Sequence, residues 1–366
     1  MEQQPSDWFR AFNELFDPTA EAIVLTDQMH DLIYLDRDDD VAVLYSDTRS
    51  SVPDIAEWEI ITGNQQGPTS NVAMMHTLGV ERVVFSPFSY IAYRLGLGHY
   101  VDPTTASTTG FMDLATRAWS PAICEAIGVD PAVHLPTIGQ GHIGTDQGVD
   151  IILAPGDAGT TALGIGEKHI YMGTTGWHAS IDMVVATHRR EKHTLALGND
   201  KDRSIAAVQV AGSAREEALR LFPIDGALPS GPSGVVALPT FFRERFPRRV
   251  ETPGAAFIGV TPQTTQAHLH KAILEGVCLA LSFDIEPNGA PLATVGGCTR
   301  SPEWMQILAD VTGWVIEVLP DFDAGTVGAL RFAGVDIPTP PPTAVYKPQE
   351  SYEQEKDVFA TVRAVL

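Results

Sequence analysis

The sequence predicts an α/β protein, and three observations lead to this expectation. Three short apolar runs between residues 22 and 45 each end in polar turn residues. A later apolar run, 293–295, enters a double glycine. After it, Ser301 and Pro302 provide an N-cap and a first helical position. Because open α/β sheets bind ligands where their strands end, we expect strands and helices in layers, with polar sites at a sheet edge.

The remaining elements follow from periodicity and capping residues. Helices are predicted over 5–16, 53–61, 120–127, 301–313 and 324–332, a long helix capped by Thr264 or Thr265 runs to 283, and a charged helix closes the chain. Strands are predicted over 22–26, 32–35, 41–45, 151–153, 169–172, 293–295 and 315–319. Residues 205–222 predict a strand or turn and then a helix, 138–148 predict a glycine-rich loop, and 337–343 predict an extended linker.

Composition and charge restrict the class of partner. The chain has 366 residues, a hydrophobic content of 44% and a net charge of −22, which argues against nucleic acid or an anionic membrane as the main partner. Its three cysteines form no CxxC pair, so a disulfide framework and a zinc site are not expected. The first residues carry no export signal and no run is long enough to cross a membrane, so a cytoplasmic location is expected.

One stretch, 156–177, suggests chemistry. Asp157 lies between small residues just after an apolar run, and a second apolar run ends in the turn Gly173-Thr174-Thr175-Gly176. Successive backbone N–H groups in such a turn form an anion-binding concavity. An acid near a phosphate-sized concavity suggests phosphoryl transfer, in which the acid takes a proton from the attacking hydroxyl. Taken alone, the stretch also fits a hairpin with a surface aspartate.

Motifs that occur in a fixed order along the chain add to this interpretation. They are DQMHDLIYLD (27–36), YSDTR (45–49), DPTTASTTGFMDLATRAWS (102–120), GDAGTTALGIG (156–166), MGTTG (172–176), FIGVTPQTTQAHLHKAILEGVCLAL (257–281) and VGGCTRSPEWMQILADVTG (295–313). In this order they resemble the FGGY family of carbohydrate kinases, most closely its xylulokinase-like members. The resemblance implies a two-domain actin-like ATPase (ribonuclease H-like) α/β fold whose first domain is N-terminally truncated. It implies a sugar-binding domain over 1–165, a nucleotide-binding domain over 166–336, and a linker with a helix over 337–366.

The resemblance also implies roles for individual residues. Asp157 would be the general base, with ATP and Mg²⁺ as cofactors and a small-molecule sugar as partner. The sugar would be bound by Gln28, Met29, His30, Asp47 and Tyr90. The β- and γ-phosphates would be held by Gly173, Thr174, Thr175 and Gly176, and the adenosine would lie near Gly296, Gly297 and Arg300. No residue is assigned to the metal.

The sequence departs from the family pattern in its first phosphate loop. The family has an Asp-x-Gly-Thr-Thr hairpin before the helix that 5–16 resembles, and no such motif precedes that helix here, although Asp-x-Gly-Thr occurs further along the chain at 157–160 and 323–326. Two functions therefore stay open: ATP-dependent phosphorylation of a xylulose-like ketose or related sugar, and binding of sugar or nucleotide without turnover. Without the hairpin, we expect little kinase activity and unpaired edges along strands 22–26 and 41–45. Such edges favour association, for example into a homodimer.

Overall fold

The computed structural model describes residues 1–183, 192–198, 201–252, 254–283, 285 and 287–365. They form two compact units. The first unit comprises Met1–Ile165, Ile181–Ser204 and Asp323–Pro338, and the second comprises Gly166–Ser180, Ile205–Phe322 and Thr339–Leu366. The domain ranges drawn from the sequence, 1–165, 166–336 and 337–366, remain predictions.

The first unit contains two principal sheets. Its strands are β1 (Glu2–Gln3), β2 (Ala22–Leu25), β3 (Leu32–Tyr34), β4 (Ala42–Val43), β5 (Val83–Val84), β6 (Tyr100–Val101), β7 (Met112–Asp113), β8 (Ala118–Trp119), β9 (Thr137–Ile138), β10 (Gly141–Asp146) and β11 (Val149–Leu153). One sheet has the order β1-β4-β3-β5 and the other β10-β11-β2. Strands β11 and β2 are parallel with Leu153 opposite Leu25, so the chain leaves both strands at the same edge.

The first unit contains the helices α1 (Pro5–Leu15), α2 (Trp58–Thr62), α3 (Asn71–Leu78), α4 (Pro87–Arg94), α5 (Pro103–Thr108), α6 (Pro121–Ile127), α7 (Pro131–His134) and α8 (Asp157–Ile165). The helices from α3 to α7 each begin with a side-chain N-cap that is easy to recognise in the sequence. Asp102 and Ser120, for example, each accept a hydrogen bond from the backbone of the following turn, and a proline occupies the first helical position after each.

The second unit is built around a mixed sheet. The remaining strands of the chain are β12 (Lys168–Met172), β13 (Gly176–Met183), β14 (His193–Gly198), β15 (Lys201–Val208), β16 (Val236–Leu238), β17 (Ala256–Ile258), β18 (Leu292–Val295), β19 (Ile316–Val318) and β20 (Ala344–Tyr346). Within the second unit, the sheet runs β15-β13-β12-β18-β19-β20. Strands β12 and β18 are parallel neighbours, with Tyr171 opposite Val295, so the turns that follow them share one edge.

Helices pack on this sheet and bury its apolar face. In the second unit these are α9 (Gly212–Leu221), α10 (Gln266–Ser282), a 3₁₀ turn (Gly297–Arg300), α11 (Pro302–Thr312) and α13 (Glu353–Val365), whereas the remaining helix of the chain, α12 (Ala324–Phe332), belongs to the first unit. Helix α10 is buried along most of its length, and Trp304 of α11 is fully buried and donates to Leu274 O at 3.2 Å. Among the described residues, no helix is both long and apolar enough to cross a membrane.

The structure corrects three local expectations. The predicted glycine-rich loop at 138–148 instead contains β10, which pairs with β11 through a bulge near Gly144. Asp157 does not lie in a hairpin turn, because residues 157–165 form α8. Strand β4 has no unpaired edge, since β1 pairs with one side and β3 with the other. Strand β2 does lie at the end of its sheet within the described part of the chain.

Candidate active site

The start of α8 places Asp157 at the sheet edge where β2 and β11 end. The Asp157 N–H donates to Asp27 O at 2.7 Å, which fixes the helix to the segment that follows β2. Gly156 allows close packing here, because a Cβ at this position would lie 2.5 Å from Met29 Cγ and 2.8 Å from Thr105 Oγ1. The glycine therefore lets Met29 and Thr105 approach the first turn of α8.

Opposing effects act on the Asp157 carboxyl. Its side chain is open to solvent on one side, yet the surrounding protein desolvates the carboxylate and raises its pKa. The Ala158 N–H and the Arg203 guanidinium act in the opposite direction, while the charge of Asp102 raises the pKa further. A carboxyl with a raised pKa at an accessible position is suited to accept a proton at neutral pH.

Other carboxyls surround this position, of which Asp31 and Asp102 are buried and Asp27 is partly buried. Asp102 Oδ1 accepts from Thr104 N at 2.9 Å and from Gly156 N at 3.0 Å, so one carboxylate both caps α5 and holds the turn before α8. Burial raises the pKa of Asp102, and it raises that of Asp27 well above its ordinary value. The pKa of Asp31 rises to about 6, chiefly through burial.

The structure brings the predicted Gln28-Met29-His30 segment to this edge. Gln28 Nε2 donates to Asp31 Oδ2 at 2.5 Å, and Met29 packs against Gly156. His30 has a φ of 49°, and Asn71 Nδ2 donates to its carbonyl at 3.0 Å. Burial lowers the pKa of His30 to about 4, so the ring is neutral at pH 7. Within the part of the chain that the structure describes, its buried Nδ1 has no hydrogen-bond partner.

Asp47 and Tyr90 are engaged in other contacts. Asp47 is buried, and both of its oxygens accept from Arg49, which holds the pKa of that carboxyl well below its usual range. Tyr90 is part of an apolar cluster with Ile33 and Val84, and its hydroxyl accepts from Arg94 at 2.5 Å. The structure therefore shows a structural use for both side chains, and their predicted sugar contacts stay predictions.

Sequence reasoning missed three members of the first-unit site: Asp27, Asp31 and Arg203. Asp27 and Asp31 flank the Gln-Met-His segment, so their position at the end of β2 was a signal that could have been used. Arg203 lies in a charged run, Lys201-Asp202-Arg203, that indicates an exposed turn, yet the structure buries Arg203 within β15. Its burial is a tertiary property that this local pattern does not reveal.

In the second unit, the turn between β12 and β13 is the segment for which the sequence predicts an anion-binding concavity, and that function stays a prediction. The Gly173 N–H donates to Thr175 O at 2.9 Å, which closes the turn tightly. A side chain at Gly173 would collide with the ring of Tyr171. Among the described residues, the backbone N–H groups of Thr174 and Thr175 donate to no acceptor. Two adjacent free donors of this kind are suited to bind phosphate oxygens.

The second glycine turn packs directly on the first. Gly296 has a φ of 109°, and a Cβ there would lie 2.5 Å from Met172 O, so only glycine fits against the end of β12. Cys298 Sγ donates to Gly173 O at 3.3 Å. Ser301 caps α11 by accepting from Trp304 N, as the sequence predicted. Thus the predicted nucleotide segments 173–176 and 296–300 meet within one unit.

The two glycine turns of the second unit have features that fit a nucleotide. Free backbone donors and a glycine cradle can hold phosphates in the second unit. In the described residues, no group of three or more His, Cys, Asp or Glu side chains is arranged to hold a metal. Mg²⁺ usually binds through one or two carboxylates together with substrate phosphates.

Comparison with known proteins identifies the relatives of this chain. Residues 69–149 match the model of the FGGY family of carbohydrate kinases, N-terminal domain, and residues 184–337 match that of the C-terminal domain. Together the two ranges cover more than half of the chain. They include Gly296, Gly297 and Arg300 but not Asp157 or the turn at 173–176.

Individual relatives agree with the family match. A xylulose kinase from Staphylococcus xylosus is 22% identical, over 91% of this chain and 82% of the relative. The crystal structure of a xylulose kinase from Rhodospirillum rubrum matches with a TM-score of 0.81 at 20% identity, covering 100% of this chain and 90% of the other. Plasmodium falciparum glycerol kinase with ADP matches with a TM-score of 0.77 at 19% identity, covering 100% and 89%. These likenesses confirm the predicted two-domain actin-like ATPase fold.

Proposed function

Because this chain belongs to the FGGY family of carbohydrate kinases, we propose that it transfers the γ-phosphoryl group of ATP to a hydroxyl of a xylulose-like ketose or related sugar. The observation that carries this proposal is the position of Asp157. Its carboxyl is accessible, has a raised pKa and lies beside the Gln28-Met29-His30 segment. The names of the relatives, which include xylulose kinases, support the choice of acceptor.

Asp157 would act as the general base. As the acceptor oxygen approaches phosphorus, its proton passes to a carboxylate oxygen of Asp157, the new O–P bond forms, and the bond from the γ-phosphorus to the bridging oxygen breaks. The electron pair of that bond leaves with ADP. A positioned base contributes about 10²–10⁴-fold to the rate, so positioning and charge neutralisation must supply the rest.

Side chains of the first unit would orient the acceptor. Gln28 is held by Asp31 at 2.5 Å, and His30 is neutral at pH 7 with an unused ring nitrogen, so each can hydrogen-bond a sugar hydroxyl without bringing a charge. Met29 presents an apolar surface beside Gly156. This combination suits a neutral polyhydroxyl compound.

Backbone groups of the second unit would bind the nucleotide. The free N–H groups of Thr174 and Thr175 would hold phosphate oxygens, and the cradle at Gly296 and Gly297 would lie near the adenosine. Mg²⁺, when bound with the nucleotide, supplies positive charge that offsets the charge of the phosphates. The names of carbohydrate-kinase relatives, one of them solved with ADP, support ATP as the phosphoryl donor.

The test is turnover of ATP with D-xylulose by the full chain and by Asp157→Asn. The substitution keeps the side-chain volume and removes the proton acceptor, so we expect turnover to fall by about 10²–10⁴-fold with an unchanged melting temperature. Asp150→Asn is a matched control, since Asp150 lies on β11 and is exposed. Equal turnover by Asp157→Asn and the parent would disprove the base assignment. Binding of D-xylulose and ADP without turnover by the parent would favour a non-catalytic role.

A further inference from the structure

Arg203 is a buried cation with unused hydrogen-bond donors. Its side chain is 2% exposed, and Nε and Nη1 have no acceptor among the residues that the structure describes. Burial lowers the pKa of the guanidinium to about 10, so it stays charged at neutral pH. An unpaired buried charge costs free energy, and a group that carries such a cost is a candidate for a functional role.

Nearby groups show where these donors are available. Asp202, the preceding residue on β15, is fully buried and forms an ion pair with Arg117. Successive side chains of a strand face opposite sides of the sheet, so the Asp202 carboxylate does not pair with the Arg203 guanidinium. The charge that acts on Arg203 is that of Asp157, and Arg203 in turn lowers the pKa of Asp157. The unused donors therefore lie within electrostatic range of the proposed base.

The reaction places new negative charge at this position. The acceptor hydroxyl that gives its proton to Asp157 is the same oxygen that receives the phosphoryl group. A cation that interacts with the Asp157 carboxylate over this range also interacts with that phosphoryl group. Resting on the function proposed above, we propose that Arg203 binds the phosphoryl group on the acceptor oxygen, during its transfer and in the sugar phosphate product.

The guanidinium is chemically suited to this ligand. Its planar fork can donate two parallel hydrogen bonds to phosphoryl oxygens, which a lysine ammonium cannot do. An arginine on the transferred phosphoryl group contributes about 10³–10⁵-fold in other phosphoryl-transfer enzymes. The bonds that form and break are the same as those described above: the proton goes to Asp157, the O–P bond forms, and ADP leaves with the electron pair.

The experiment compares the wild type with Arg203→Met in calorimetric titrations against inorganic phosphate, D-xylulose 5-phosphate, D-xylulose, sodium gluconate and ADP. Methionine fills similar space without charge. We expect Arg203→Met to melt at a higher temperature when free of ligand, because an unpaired buried charge is removed. We expect it to bind D-xylulose 5-phosphate at least tenfold more weakly, while D-xylulose and ADP bind as before. Arg203→Lys should lie between the two, and Arg10→Met, at an exposed position, should match the wild type.

Each outcome decides for or against the proposal. A lower melting temperature with unchanged phosphate and sugar phosphate binding would show that Arg203 only supports the fold. Loss of gluconate binding with sugar phosphate binding retained would show that Arg203 binds a carboxylate of the acceptor, which overturns the phosphoryl assignment. A protein that shows no ATP turnover but binds sugar phosphate in an Arg203-dependent manner would refute the proposed function and leave this inference standing.

Discussion

The two units hold their candidate sites by different means. In the first unit, the chemistry lies in side chains: Asp157, the acids around it, and Arg203. In the second unit, the turn at 173–176 offers backbone N–H groups, and Gly296 is required because a Cβ would meet Met172 O. One site depends on ionisation and burial, whereas the other depends on the absence of side chains.

This difference predicts different sensitivities. A site made of buried acids responds to pH, because protonation changes its charge. A site made of backbone donors does not titrate, and it fails when added atoms separate the two turns. Ligand binding in the second unit should therefore be sensitive to substitutions that add a single carbon. Ligand binding in the first unit should be sensitive to substitutions that remove a single charge.

The largest effect on stability is expected at Gly328, where two helices of the first unit pack backbone against backbone. Gly328 of α12 lies against α8, and a Cβ there would overlap Thr160 O. Gly328→Ala should destabilise the protein by about 3 kcal/mol or more, because the two helices must move apart. Gly325→Ala, in the same helix with its nearest heavy atom at 3.4 Å, should be neutral or stabilising by up to about 1 kcal/mol. Denaturant unfolding measures both, and equal effects would contradict the close approach of α8 and α12.

The next effect tests the backbone site. Gly296→Ala adds a Cβ 2.5 Å from Met172 O at a φ of 109°, so we expect a cost of about 1–3 kcal/mol and at least tenfold weaker ADP binding. Gly254→Ala is the control, because a Cβ at this position of the same unit would meet no heavy atom within 4 Å. Calorimetry with ADP and Mg²⁺ is the measurement. Unchanged ADP binding by Gly296→Ala would exclude this cradle from nucleotide binding.

A third effect of similar size tests the ionisable site. The pKa of Asp31 is raised to about 6 in the folded protein, so its contribution to stability is present below the unfolded value near 3.8 and is lost as pH rises through about 6. Asp31 alone should lower the free energy of unfolding by roughly 2 kcal/mol between pH 4 and 7. Asp31→Asn should remove that part of the slope in urea titrations. If the free energy of unfolding of Asp31→Asn depended on pH as steeply as that of the wild type, groups other than Asp31 would be the cause of the dependence.

The smallest effect separates two predicted sugar residues within the first unit. His30 has an unused ring nitrogen, whereas Asp47 is occupied by Arg49. We expect His30→Ala to weaken D-xylulose binding by about 1–2 kcal/mol. Asp47→Ala should leave that affinity nearly unchanged and lower the melting temperature instead. Calorimetric titration with D-xylulose is the measurement. Equal losses of affinity in the two variants would indicate that Asp47 also contacts the sugar.

Local patterns predicted those elements whose signals are themselves local. The run before Gly296 became β18, and Ser301 with Pro302 marks the start of α11 as expected. The resemblance, carried by motifs in order, predicted the family and the fold. In each case the sequence signal lies within the element or motif that it specifies.

Features that depend on distant partners were not predictable in this way. Glycine and threonine in 156–166 favour a turn by propensity, yet α8 forms because it packs closely on α12. Strand β10 forms in a glycine-rich segment because β11 supplies its hydrogen-bond partners. Arg203 is hidden in a charged run and acquires its role only through burial near Asp157.

The contact between α8 and α12 also has a consequence for the order in which the protein can fold on the ribosome. Arg331 Nη1 donates to Leu163 O at 2.8 Å across 168 positions of sequence. The helix that begins with Asp157 therefore lacks its packing partner until synthesis has passed residue 332, by which time most of the second unit has already emerged. Contacts so distant in sequence slow folding. A nascent chain halted before α12 should expose α8 to proteases, and this exposure should disappear once α12 has emerged.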